Sequence, residues 1–202
     1  MELWRMGRQG SKRNEVRIIG GELRSRRLTF PESGGLRPTA DRIRETLFNW
    51  LHEEIAGARC LDLFAGSGAL GIEAISRGAA WVDLVERESA VCRVLEENLA
   101  TLGIARAALH CCPALEFLRR GGEKPYHVVF LDPPYGDDCL GEVSRQLAAS
   151  GMLAPGARIY LEHAQPIDPA GLPAAWRERR QKKAGQVYYY LFENEAASGG
   201  GF

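Results

Sequence analysis

Cys60-Leu61-Asp62-Leu63-Phe64-Ala65-Gly66-Ser67-Gly68-Ala69-Leu70-Gly71 reads as a strand, a glycine turn and the first turn of a helix. Glycines let a backbone pass close to a ligand, and the turn lies at the carboxyl end of its strand, where doubly wound sheets take their ligands. The Gly66-x-Gly68-x-x-Gly71 spacing places a ligand without naming it, since dinucleotides use the same spacing.

Working toward the C-terminus, strand and helix patterns alternate. Arg59 to Phe64 is expected as a strand, Gly66 to Arg77 as turn and helix, Trp81 to Glu86 as a strand and Ser89 to Leu102 as a helix. Ala107 to Cys111 follows as a strand, then a helix near Ala114 to Arg119 and the apolar strand His127 to Leu131. A helix near Cys139 to Ala149 and a strand from Arg158 to Glu162 complete the alternation. Such an order predicts an α/β fold with a mostly parallel sheet covered on both faces. Trp176 to Lys183 and Gln186 to Phe192, flanking Ala184-Gly185, read as an antiparallel pair that closes one edge.

Toward the N-terminus the character differs. Val16 to Ile19 and Arg27 to Phe30 read as short strands around Gly20-Gly21, and Pro31 to Pro38 as a link. Thr39 or Asp41 is expected to cap a helix whose apolar residues are Ile43, Leu47, Trp50 and Leu51, which puts Arg42 and Arg44 off the apolar face. The chain thus divides into a flexible tail (1–15), a basic strand pair and helix (16–52), the sheet domain (53–195) and a disordered small-residue tail (196–202).

Composition is that of an ordinary soluble chain, with 45% apolar and 26% charged residues and no apolar run long enough to span a membrane. The N-terminus does not resemble a signal peptide, so a cytoplasmic protein is expected. Five scattered cysteines form no disulfide framework. His110-Cys111-Cys112 would chelate poorly because neighbours on a strand point to opposite faces, so no metal is expected. The formal net charge of zero hides an asymmetry: residues 1–50 carry eleven Lys and Arg against six Asp and Glu. A basic front segment fits a nucleic-acid contact, and a solvated basic arm equally.

Two acids flank the glycine turn. Asp62 stands where a carboxylate meets an ammonium group, and Glu86 ends the second strand, where an acid accepts hydrogen bonds from ribose hydroxyls. These favour S-adenosylmethionine, although a nicotinamide fold shares the spacing. Asp132-Pro133-Pro134-Tyr135, after the apolar strand, decides between them. A carboxylate and a freed carbonyl can accept both hydrogens of a planar NH2 while an aromatic ring stacks on the base that carries it. The prolines remove two competing N–H donors. This tetrapeptide resembles the signature of methyltransferases that act on exocyclic nitrogens of nucleobases.

Further motifs narrow the resemblance. Arg17-Ile18-Ile19-Gly20-Gly21, the segment Leu36 to Leu51 (LRPTADRIRETLFNWL), DLFAGSGALG at 62–71 and DPPYG at 132–136 occur together. From about Val16 to Phe192 the chain resembles the RsmD family, bacterial methyltransferases that modify guanine N2 in 16S ribosomal RNA. The resemblance implies a class I, Rossmann-like methyltransferase fold with a seven-stranded sheet, S-adenosylmethionine as methyl donor and an acceptor in 16S RNA on an assembling 30S particle. It implies that Asp132, Pro133, Pro134 and Tyr135 hold the target base. Cofactor contacts are expected from Asp62, Phe64, Ala65, Gly66 and Gly68, from Glu86 and Arg87, and from the backbone of Ala114. Relatives often carry Asn or Asp where this chain has Pro113, so any adenine contact there falls to backbone groups. Arg24, Arg26, Arg27, Arg37 and Arg42 are candidate RNA contacts; Arg42 and Arg44 equally fit helix-supporting pairs with Asp41 and Glu45. Arg177 to Lys183 is a second basic candidate, or a strand edge protected by charge. An N6-adenine methyltransferase, and a catalytically silent RNA-binding assembly factor, remain the rival readings. A protein-glutamine methyltransferase fits less well, because such enzymes resemble this pattern with Asn in the place of Asp132.

Overall fold

The structure is a computed structural model that describes residues 13–31, 39–122, 124–134 and 139–195. The reading of 196–202 as a disordered tail, and the positions of Arg37 and Tyr135, lie outside the described residues.

Nine strands and five α-helices are described: β1 (Arg13–Arg17), β2 (Arg27–Pro31), α1 (Asp41–Trp50), β3 (Arg59–Asp62), α2 (Ala69–Ser76), β4 (Trp81–Glu86), α3 (Ser89–Leu102), β5 (Ala107–Cys111), α4 (Ala114–Arg120), β6 (Tyr126–Leu131), α5 (Leu140–Ala149), β7 (Leu153–His163), β8 (Trp176–Ala184) and β9 (Val187–Asn194). β1 and β2 form a separate antiparallel ribbon, and the other seven make one sheet in the order β5-β4-β3-β6-β7-β9-β8. β3 to β7 are mutually parallel, while β9 runs antiparallel to both its neighbours. The chain winds outward through β4 and β5 on one side of β3 and through β6 and β7 on the other. That reversal opens a crevice at the carboxyl ends of β3 and β6, the place where open α/β sheets bind ligands.

Alternation along the central strands fills both faces. Cys60, Val128, Phe130, Tyr160, Tyr189 and Leu191 point into one core, while Leu61, Val129, Leu131, Ile159, Leu161, Tyr190 and Phe192 point into the other. α1, α2, α3 and the β1–β2 ribbon cover the first face through residues such as Leu47, Ile72, Leu95, Val16 and Leu28; α4 and α5 cover the second through Phe117, Val143 and Leu147. Each fully buried side chain of this size contributes roughly 1.5–3 kcal/mol. The N-terminal ribbon therefore shares the core of the sheet and is more than an arm laid on its surface.

A polar clasp holds the ribbon in register. Glu73 of α2 is fully buried and accepts hydrogen bonds from the amides of Ile19 and Gly20, both at 2.8 Å, from Arg77 Nε at 2.7 Å and from Arg44 Nη1 at 3.4 Å. Ser76 Oγ accepts from Leu23 N at 2.9 Å and donates to the Gly20 carbonyl at 2.5 Å. Gly21, with φ +77°, passes so close that a Cβ would stand 1.8 Å from the Ser76 carbonyl oxygen.

The structure departs from the sequence expectations at several points. Arg44 is completely buried rather than off the apolar face; it bonds Glu73, Asp41 Oδ1 at 2.6 Å and the carbonyls of Arg17 (2.7 Å) and Thr39 (3.1 Å), and none of its described bonds goes to Glu45. Neither Thr39 nor Asp41 caps α1, whose N-cap is Ala40 without a side-chain bond. The first ribbon strand starts at Arg13, inside the segment expected as a flexible tail, and ends at Arg17 because the turn through Gly20-Gly21 takes over. β7 begins at Leu153, five residues before the expected Arg158: Gly156, at φ +72°, carries it past a register shift against β6.

Candidate active site

A cavity of about 1090 Å³ opens at the carboxyl ends of the parallel strands. Its wall brings together Asp62, Phe64, Ala65 and Gly66 of the glycine turn, Glu86 and Arg87 after β4, Ala114 at the start of α4, and Asp132, Pro133 and Pro134 after β6. Of the candidate cofactor residues only Gly68 does not line it. Gly68 instead shapes the turn: its φ is +80°, and a Cβ would approach Leu95 Cδ1 to 2.6 Å. Of the candidate base-holding residues Pro133 is buried and Pro134 exposed.

The carboxylates differ in what they already bind. Glu86 ties two loops together, accepting Gly66 N through Oε2 at 2.9 Å and Glu88 N through Oε1 at 2.8 Å; each oxygen keeps a second acceptor site. Asp62 is buried and accepts Gly71 N at 3.0 Å through Oδ2, whereas its Oδ1 has no hydrogen-bond partner. Burial pushes its carboxyl up to about 7, against the opposing pull of the Gly71 amide, with Glu86 adding to the rise. The Phe64 amide also lowers it, although its geometry falls short of a hydrogen bond to Oδ1. A buried carboxylate with one orphaned oxygen on a cavity wall is shaped for a cationic donor.

Asp132 sits on the neighbouring strand end. Thr39 Oγ1 donates to its Oδ2 at 3.0 Å. The register that pairs Leu131 with Leu161 sets Asp132 alongside Glu162 of β7, itself buried and bonded by Tyr160 Oη at 2.8 Å. Enclosure in the wall, and then the Glu162 charge, hold the Asp132 carboxyl well above the usual carboxylate range, and the Thr39 bond offsets part of that. The same burial and the Glu162 charge raise the Tyr160 phenol well above its ordinary value. Thr39 and Glu162 were not among the sequence candidates. Thr39 looked like a helix cap, and Glu162 like the polar end of a strand; strand register places Glu162 beside Asp132, and the entry to α1 brings Thr39 there.

Among the described residues, the candidate RNA contacts form no part of this wall. Arg24, Arg26, Arg27 and Arg42 are exposed, Arg27 pairing with Glu15 at 2.5 Å. His110 lies against Asp83, its Nε2 at 2.9 Å from Oδ1, with Cys111 exposed and Cys112 buried beyond it.

Comparison with known proteins fits this geometry. A family model described as "conserved hypothetical protein 95" matches residues 16–193. Ribosomal RNA small subunit methyltransferase D of Escherichia coli is 48% identical over 182 residues, which cover 90% of this chain and 91% of that one. The protein of the same name from Haemophilus influenzae is 41% identical, with 90% and 95% covered. A solved structure described as "Putative methyltransferase yhhF from Escherichia coli" superposes with a TM-score of 0.81 at 45% identity, covering 90% of this chain and 99% of that one. The chain belongs to the family of the ribosomal RNA small subunit methyltransferases D.

Proposed function

We propose that the protein transfers a methyl group from S-adenosylmethionine to the exocyclic N2 of a guanine in small-subunit ribosomal RNA, acting in the cytoplasm on an assembling 30S particle. The observation that carries the reading is the convergence of Asp62 and Asp132, on adjacent strand ends, in one cavity large enough for a cofactor and a base. The relatives' names supply the class of RNA; guanine N2 rests on the resemblance of the motifs.

The residues present fit the cofactor. Asp62 Oδ1 would accept from its ammonium group, and the spare acceptor sites of Glu86 would take the ribose hydroxyls. Phe64, Ala65, Gly66 and Arg87 would line its path, with the backbone near Ala114 beside the adenine because Pro113 offers no side-chain donor. When bound, S-adenosylmethionine supplies an activated methyl group at the electrophilic end of the site.

The chain's own part is positioning and charge. A guanine amino group is a poor nucleophile because its lone pair is delocalised into the ring. Asp132 and the Pro133 carbonyl would accept its two hydrogens, orient the nitrogen and stabilise positive charge as it forms a new bond. A raised Asp132 also suits taking up the proton that the nitrogen must release. Thr39, also on the cavity wall, would fix the carboxylate's orientation through its hydroxyl, and Tyr135 would stack on the extruded base.

The test is transfer of label from radioactive S-adenosylmethionine to 16S RNA, 30S particles, 50S particles or duplex DNA, followed by mapping of the modified nucleoside. N2-methylguanine from the small subunit is expected. Label found only in methyladenine overturns the guanine assignment, and no transfer to any substrate favours a silent assembly factor.

A further inference from the structure

We infer that the β8–β9 hairpin is a second RNA-binding rim, in which Lys182 and Lys183 seat the phosphate backbone beside the nucleotide held at Asp132. The inference rests on the methyltransferase reading above and extends its substrate contacts beyond the N-terminal arginines.

Position is the first argument. β9 runs antiparallel to β7 and begins opposite its end, pairing Tyr188 with His163, so the hairpin tip lies at the same end of the sheet as the cavity. Gln186 and Val187 at that tip line the cavity together with Asp132, Pro133 and Thr39. Lys182 and Lys183 stand two strand positions and one strand position before Ala184, where the tip begins.

Charge is the second. β8 is an edge strand with an exposed basic run, but its cations are not equivalent. At the end far from the cavity, Arg177 pairs with Glu195 at 3.2 Å and Arg179 with Glu193 at 2.7 Å, so their charge is spent inside the protein. Near the tip no described carboxylate pairs with Lys182 or Lys183. Aromatic faces hold them instead: Lys182 Nζ lies 5.9 Å from the centre of the Trp50 ring, and Lys183 Nζ lies 4.5 Å from that of Tyr188 while donating to its hydroxyl at 2.8 Å. A ring orders an ammonium group without cancelling its charge. Trp50 is itself stacked on Tyr189, with centroids 5.4 Å apart, which fixes the platform under Lys182.

Geometry is the third. Successive residues of a strand point to opposite faces, so the two ammonium groups straddle the edge: Lys182 on the α1 side, Lys183 on the other. A polyanionic strand crossing this edge toward the cavity would meet a cation on each flank. A strand edge protected only by charge would need no such gradient from paired to unpaired cations toward the site.

The test compares three double variants of the full chain with the unaltered protein. Binding of purified 16S RNA is read by filter retention across a salt series, and methyl transfer is read separately. Lys182→Ala/Lys183→Ala is expected to weaken RNA binding about ten-fold and to flatten the log–log salt slope by about 1.4, two phosphate contacts' worth for single-stranded RNA. Transfer should show a raised KM with kcat and S-adenosylmethionine affinity little changed. Lys182→Arg/Lys183→Arg should restore binding, which separates lost charge from lost folding. Arg177→Ala/Arg179→Ala should leave the RNA affinity and salt slope near those of the unaltered protein. Unchanged binding in the lysine variant, or equal losses in the two alanine variants, would overturn the rim. Absence of transfer by the unaltered protein would count against the methyltransferase reading, while filter retention still reports on the lysines.

Discussion

The orphaned Oδ1 of Asp62 links ligand binding to protons. Its carboxyl, pushed up to about 7 by burial, is raised above the value of 3.8 it has when solvated. Its contribution to folding is therefore complete below 3.8 and is lost as pH rises through about 7. An ammonium ligand reverses the preference, because it needs the ionised form. Affinity for S-adenosylmethionine should consequently rise with pH up to about 7 and then level off, with proton release on binding at lower pH. Calorimetry in buffers of different ionisation enthalpy reads this directly; Asp62→Asn should bind more weakly and show no such dependence. Asp132 behaves differently because its neighbours are an acid and a hydroxyl. Asp132→Asn should lower kcat by about 10²–10³, the scale of losing one group that stabilises transition-state charge, with cofactor affinity nearly intact. Thr39→Val removes the bond that lowers the Asp132 value, so the acid limb of the pH–rate profile should move to higher pH. A profile identical to that of the unaltered protein would refute this role for Thr39. At this scale the sequence made Asp62, Glu86 and Asp132 legible, since each stands at the end of an apolar strand, Asp62 shortly before the glycine turn and Asp132 directly before two prolines. Thr39 and Glu162 carried no such mark; their relation to Asp132 exists only across strands and through a helix entry.

Among the elements, α2 shows how a short helix can organise segments remote in sequence. Every one of its residues is buried, its first turn feeds Asp62 through the Gly71 amide, and Glu73 and Ser76 clasp the turn after β1. Arg44 completes the clasp from α1 and also holds the Thr39 carbonyl, so the residue that donates to Asp132 hangs on the same network. Removing one member of a buried pair leaves a charge uncompensated. Arg44→Ala should cost about 3–5 kcal/mol of stability in denaturant unfolding, whereas exposed Arg42→Ala should stay within about 0.5 kcal/mol. Equal effects at the two positions would show that the buried network is not what distinguishes them. The helical spacing of Ile43 and Leu47 gave α1 correctly but put Arg44 outside the core. A helix-wheel argument sees one packing surface, and α1 has a second, polar one against Glu73, whose position 29 residues away no local pattern reveals. The parallel strands were easier to read, because strands buried on both faces appear as continuous apolar runs. β7 hid its start behind Pro155-Gly156, which reads as punctuation and serves as a bulge.

For the whole molecule, the division into a basic front segment and a sheet domain describes charge better than packing. Val16, Ile18, Leu28 and Phe30 belong to the same core as Leu95 and Leu99, and Asn98 of α3 bonds Thr29 on both its amide and its carbonyl. Deleting residues 1–38 would strip that cover. The expected product binds a hydrophobic dye and lacks the near-ultraviolet circular dichroism of a packed core; a deletion variant with a sharp unfolding transition and intact cofactor affinity would show that the sheet stands alone. The overall alternation of strands and helices was plain from the sequence, yet the sharing of one core by both segments was not, since it depends on contacts between β2 and α3 some seventy residues apart. The insertion of β9 between β7 and β8 bears on synthesis as well as on architecture. Among the described strands β8 pairs only with β9, and β9 is the strand that covers the flank of β7. While the ribosome is still making residues 187–194, β7 with its Ile159-Tyr160-Leu161 run presents an unpaired apolar edge, and β8 has nothing to pair with. The hairpin must close back on itself to finish the sheet, so the nascent chain passes through a stage that is vulnerable to pairing with other chains until β9 has paired with β7.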